Sequence, residues 1–139
     1  MRGPQTGGTR DRAAIRSARG AKARRDGRGA EVLAALWLMA RGWRVLGFRI
    51  PAAQGEIDLL ARRGRVLAVI EVKRRRTLDE ALGAVTERQR ARLRTAAEAL
   101  TARRPDLAGL AIRLDLIAFG PRGLPRHLPD AWPQDGGGP

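Results

Sequence analysis

A chain of 139 residues whose two ends are rich in Gly, Arg and Pro has room for one domain of about 100 residues, enough for a modest core, and not for a second. It contains no cysteine, which excludes disulfides and thiolate metal sites and gives no reason to place it in an oxidising compartment. Its net charge of +14 favours a polyanionic partner, nucleic acid first of all.

Residues 1–28 carry nine basic and two acidic residues and no apolar period, so they are expected to form a disordered tail, either solvated or serving as a phosphate-binding arm. The remaining residues keep half of the net charge, so the domain is basic without its tail. Gly29 to Arg41 reads as a helix closed by Gly42 at the C-cap. The helix is apolar almost all round from Val32 to Ala40, which predicts deep burial. That run is too short to span a bilayer, and the N-terminus lacks the apolar core of a secretory signal, so a cytoplasmic bacterial protein without membrane contact is expected. Glu31 sits in the first helical turn, where the helix dipole favours negative charge. Trp37 and Trp43 are read as packing residues, and Arg44 to Ile50 as a first strand ended by Pro51.

Two apolar runs follow. Ile57, Leu59 and Leu60 are interrupted by Asp58; Val66 to Val72, rich in Val and Ile, has the pattern of a central strand and is interrupted by Glu71 and then Lys73. A carboxylate near the middle of a buried strand is costly unless it is paired or metal-bound. A turn centred on Arg63 and Gly64 makes paired positions sum to 127, with Asp58 opposite Val69 and Glu56 opposite Glu71. Because side chains alternate, Glu56, Asp58, Glu71 and Lys73 then share one face, and Asp58 and Glu71 are diagonal neighbours at roughly 7–8 Å between Cα atoms. One divalent cation can bridge such a pair. A three-residue loop would send Glu71 to the other face, so this reading depends on the turn.

Beyond the hairpin, Arg74, Arg75 and Arg76 are either a solvated strand edge or phosphate contacts. The Arg62, Arg63 and Arg65 group is expected to be a soluble hairpin tip. Leu78 to Gly83 forms a short helix or turn, and Thr86 opens a longer helix through a capping box with Gln89. Gln89 also falls on the inward face of that helix, so capping and approach to the carboxylates both remain open. The helix ends near Arg104-Pro105, and a further strand runs from Ile112 to Phe119. In it Asp115 either faces solvent or pairs with Arg113, and is not read as catalytic. His127, the only histidine, lies in a Pro-rich stretch without a second His or any Cys, which supports neither zinc nor a histidine-centred hydrolase. Residues 133–139 are expected to form a disordered C-terminal tail.

Asp58 followed by Glu71-Val72-Lys73 on the next strand resembles the D…(D/E)xK signature of restriction-endonuclease-like nucleases. The wider string, Gly55-Glu56-Ile57-Asp58-Leu59 with Val69 to Arg74, Val85-Thr86, Arg113-Leu114-Asp115 and His127 to Ala131, resembles the YraN family of small bacterial proteins placed near Holliday junction resolvases. The likeness covers residues 29–132. It implies an α/β restriction-endonuclease-like sandwich, a mixed central sheet flanked by helices, in agreement with the order of elements.

The resemblance further implies a metal-dependent endonuclease acting in DNA repair or recombination. Asp58, Glu71, the Val72 carbonyl and Glu31 would hold Mg²⁺ or Mn²⁺, since an all-oxygen set suits a hard cation, while Lys73 and Gln89 would join Asp58, Glu71 and Glu31 in catalysis. DNA is the expected partner, and a homodimer is compatible with the likeness to resolvases. Two other classes compete: a non-catalytic nucleic-acid-binding protein on a nuclease-like scaffold, and a partner in protein assembly.

Overall fold

The computed structural model describes residues 28–53 and 55–133. The expected N-terminal tail, apart from Arg28, and the expected C-terminal tail, apart from Pro133, lie outside the described residues. A helix over residues 28–40 (α1) begins one position earlier than its sequence signal. It is followed by strands Arg44–Ala52 (β1), Gly55–Arg63 (β2) and Val66–Arg74 (β3). Helices Leu78–Gly83 (α2) and Glu87–Arg103 (α3) come next, then a 3₁₀ turn at Pro105–Leu107 and strands Ala111–Phe119 (β4) and Pro125–Leu128 (β5).

The strands form one mixed sheet in the order β1-β2-β3-β4-β5. Only β3 and β4 run parallel, and a parallel pair needs a long crossover, which α2 and α3 supply. Alternation along the strands then divides the core. On one face, Ala30, Ala34 and Leu38 of α1 pack on Leu59, Ile70 and Phe119. On the other, Leu93 and Ala97 of α3 pack on Leu60, Val69 and Leu114. The expected mixed sheet flanked by helices is present. No helix among the described residues is long and apolar enough to cross a membrane.

The structure departs from the sequence reading in four places. First, α1 is not deeply buried: Val32, Leu33, Leu36 and Met39 are about half exposed, at 51%, 49%, 54% and 49%. A helix laid on a single sheet buries only one stripe, and here Ala30, Ala34, Ala35 and Leu38 take that stripe and leave Val32, Leu33, Leu36 and Met39 outside. Second, β1 continues through Pro51, which pairs with Glu56; β1 is an edge strand, where a missing N–H costs no ladder bond.

Third, the β2–β3 turn is Gly64-Arg65, one residue later than expected, with Arg63 paired to Val66. Gly64 has φ 60° while Arg65 does not enter the positive-φ region, the sign pattern of a type II′ turn with glycine in its first central position. Paired positions therefore shift by two, and the row after Leu59–Ile70 sets Asp58 against Glu71 instead of Val69. A shift of two preserves alternation, so Asp58 and Glu71 still share a face. Fourth, the Pro-rich stretch around His127, to which no element was assigned, forms β5 and pairs with β4.

Candidate metal centre

The carboxylate pair forms where two strands separate. The β2–β3 ladder ends at Leu59–Ile70, whereas β2 stays paired with β1 as far as Gly55. Beyond that point Val72 has no β2 carbonyl opposite it, and its N–H donates instead to Asp58 Oδ2 at 3.1 Å. Asp58 thus takes over a bond that the ladder gives up, which fixes its carboxylate beside Glu71.

Glu71 is buried, at 9% exposure. Burial, and then the negative charge of Asp58, push its carboxyl up to about 8 from an ordinary 4.5, while Lys73 pulls the other way. Asp58 also serves as hydrogen-bond partner to the Glu71 carboxyl, and Glu31 adds a smaller repulsion. Lys73 Nζ lies 3.8 Å from Glu71 Oε2, at the limit of an ion pair. Two acidic groups and one distant ammonium leave the fully ionised site short of positive charge.

Asp58, Glu71 and Lys73 are therefore brought together. Glu31 comes near but is otherwise engaged: its Oε2 accepts from Arg49 Nε at 3.0 Å, and it is buried at 8% exposure. Arg49 reaches it from β1 with φ 45°, a left-handed conformation uncommon for a non-glycine residue. Among the described residues no group of three or more His, Cys, Asp or Glu side chains is arranged to hold a metal ion. Gln89 lines the same groove as Asp58 and Glu71, but its Oε1 accepts from the Thr86 N–H at 2.8 Å and completes the capping box. Arg74, Arg75 and Arg76 are exposed just beyond Lys73. At the opposite end of β3, Arg62 donates to the Asp106 carbonyl and Arg63 to the Arg41 carbonyl, so the hairpin tip is tied to the fold.

The donors that are present suit a small hard cation. Asp58 and Glu71 offer oxygen only, and Mg²⁺ is commonly held by one or two carboxylates with water and phosphate completing its shell. His127, a ligand that zinc would favour, belongs to a separate cluster. There Asp115, fully buried, accepts from Arg113 Nε at 2.8 Å and Nη2 at 2.9 Å, and from the Asp130 N–H at 2.9 Å. Its Oδ2 also lies 2.8 Å from His127 Nε2. Burial pushes Asp115 up, but these bonds outweigh it and hold the carboxyl below its usual range. Trp37 and Trp43 meet the His127 ring edge-on, with centroids 5.4 and 6.2 Å away.

Two features were not found from sequence. Arg49 gave no local signal, because its role follows from a backbone conformation that arginine rarely adopts. The other is a groove of about 1070 Å³ that runs from Asp58 and Glu71 along α3, with Ile50, Pro51 and Ile57 as its far wall. Its arginines alternate with residues of the opposite helix face, so a count of charge alone does not single them out.

Residues 30–119 match the profile of the family described as Uncharacterised protein family UPF0102. A UPF0102 protein of Caulobacter vibrioides (strain NA1000 / CB15N) is 61% identical over 120 residues, covering 86% of this chain and 96% of that protein. One of Caulobacter sp. (strain K31) is 58% identical over 126 residues, covering 91% of each. One of Methylorubrum extorquens (strain PA1) is 52% identical over 112 residues, covering 79% of this chain and 88% of the relative.

Proposed function

The chain belongs to the UPF0102 family, the family to which its YraN-like string pointed, and from that premise we propose that it is a metal-dependent endonuclease of the restriction-endonuclease-like class, hydrolysing phosphodiester bonds in nucleic acid, DNA foremost. One observation carries the reading: Asp58 and Glu71 are held side by side in a partly buried site with Lys73 next to them and too little positive charge to balance both carboxylates.

In this reading Asp58 and Glu71 hold Mg²⁺ or Mn²⁺, with the Val72 carbonyl and Glu31 as further candidate donors. When bound, the metal lowers the pKa of the attacking water and offsets charge on the phosphate. The Val72 N–H orients Asp58 for its role. Lys73 donates to the attacking water or to a non-bridging phosphate oxygen, at the position its contact with Glu71 gives it. Arg74, Arg75 and Arg76, exposed beyond Lys73, neutralise neighbouring phosphates.

The test is incubation of purified protein with branched, duplex and single-stranded DNA and RNA in Mg²⁺, Mn²⁺ or chelator. Cleavage of at least one substrate is expected with metal only. Asp58→Ala and Lys73→Ala abolish it while changing affinity little, because each removes a group that acts on the reacting centre. Cleavage that persists in Asp58→Ala would show that this site is not responsible. A second reading, a non-catalytic nucleic-acid-binding protein on the same scaffold, is favoured by the engagement of Glu31 with Arg49, which leaves only two carboxylates for a metal. Metal-independent binding with no cleavage of any substrate would select it.

A further inference from the structure

The arginines of α3 fall into two sets. Arg90 donates to the Val85 carbonyl, and Arg94 to the Trp132 carbonyl, so both are committed to the back of the helix. Arg104, at its C-cap, is held by Asp106 at 2.7 Å. Arg88, Arg92 and Arg103 have no ion-pair or hydrogen-bond partner among the described residues, and these are the three that line the groove. The small side chains Ala96 and Ala99 lie between them and let a chain approach the helix closely. A row of uncompensated guanidinium groups facing an apolar wall matches a polymer with phosphates on one side and flat apolar bases on the other.

The lining selects one strand, because an unpaired strand can turn its bases to the apolar wall while a duplex keeps them stacked inside. Arg88 and Arg103 are fifteen positions apart, about 22 Å along the helix axis, long enough to meet several successive phosphates of an extended strand. We infer that this groove seats a single, unpaired nucleic-acid strand, with its phosphates on Arg88, Arg92 and Arg103 and its course leading to Asp58 and Glu71. The inference rests on the proposed nuclease reading only for what happens at the groove's acidic end.

The test measures anisotropy of a labelled oligothymidylate and of a blunt duplex with the full chain in chelator, across a salt series. For the single strand, Arg88→Ala/Arg92→Ala/Arg103→Ala flattens the slope of log K against log salt by about 2, three contacts at ~0.7 each, and weakens binding on the order of tenfold or more. The corresponding triple lysine variant keeps the slope, which a purely structural role would not predict. Duplex binding changes little in either variant. An unchanged single-strand slope, or an equal loss for the duplex, overturns the inference. Because no metal is present, the two readings fail separately: a slope change in a protein that cleaves nothing retains the groove and removes the nuclease, whereas Asp58-dependent cleavage with an unchanged slope does the reverse.

Discussion

Asp115 and Glu71 lie on neighbouring central strands, both acidic and both buried, yet their surroundings drive them in opposite directions. Asp115 is met by a bidentate arginine, a histidine and a backbone amide, and its carboxyl is held low. Glu71 has another carboxylate beside it and only a marginal contact to Lys73, and its carboxyl is pushed up to about 8. The chain is able to neutralise a buried acid fully, and one strand away it does not. Asp115 fastens β4, β5 and the Asp130 turn together. Glu71 is left with a deficit that a cation of the right size can fill.

The largest effect expected from this contrast is on the satisfied acid. Asp115→Ala strands Arg113 and His127 and should cost about 3–5 kcal/mol, a fall in Tm of ~10–20 °C for a domain of this size. A change of only one or two degrees would mean that the network is dispensable. In wild type the contribution of Asp115 is present above its unfolded value near 3.8 and is lost as pH falls through its lower folded value.

Next in size is the response to metal. Mg²⁺ or Mn²⁺ at a concentration a hundredfold above its Kd at neutral pH should stabilise the protein by about 2.7 kcal/mol, and that same concentration should stabilise it more at pH 9 than at pH 6, because the ligands bind deprotonated and Kd falls as pH rises. Calorimetric scans that show equal shifts in Asp58→Ala and wild type would place the cation elsewhere.

Glu71→Gln reads the unsatisfied acid directly. With its folded pKa raised, Glu71 supports stability fully below about 4.5 and loses that contribution as pH rises toward about 8. Without metal at pH 9 the Gln variant should therefore be more stable than wild type, on the order of 1–3 kcal/mol, and should lack the decline between those values. A variant less stable than wild type at pH 9 would contradict the charge deficit. The smallest effect belongs to Lys73→Met, which removes the one group pulling Glu71 down. With that attraction gone the decline should extend to higher pH than in wild type, and denaturation midpoints across pH that show it moving to lower pH would contradict the contact.

Much of the fold was legible because it rests on local periodicity and capping. The capping box at Thr86 and Gln89, the helix Leu78–Gly83 and the buried run of β3 all follow from neighbours in sequence. Asp58, Glu71 and Lys73 are assignable to one face from sequence because strand alternation is unchanged by a register shift of two, the shift that the Gly64-Arg65 turn introduces. What escaped depended on distant partners. The exposed apolar side of α1 follows from having one sheet to pack on, and nothing in the helix itself indicates which stripe will be chosen. Arg49 and the groove depend on a left-handed residue and on where α3 docks, both of which are tertiary facts.

The placement of the aromatic residues gives the molecule separate optical reporters. There are three tryptophans and no tyrosine. Trp37 and Trp43 report from the α1 side, where both rings abut His127. Trp132 reports from the α3 side, where its indole N–H donates to the Leu82 carbonyl and its own carbonyl accepts from Arg94. With Trp37 and Trp43 replaced by Phe, intrinsic emission follows the layer that forms the groove alone, and the converse Trp132→Phe protein follows the opposite layer. Titrating each with oligonucleotide or with metal shows which side of the sheet responds, with no attached dye.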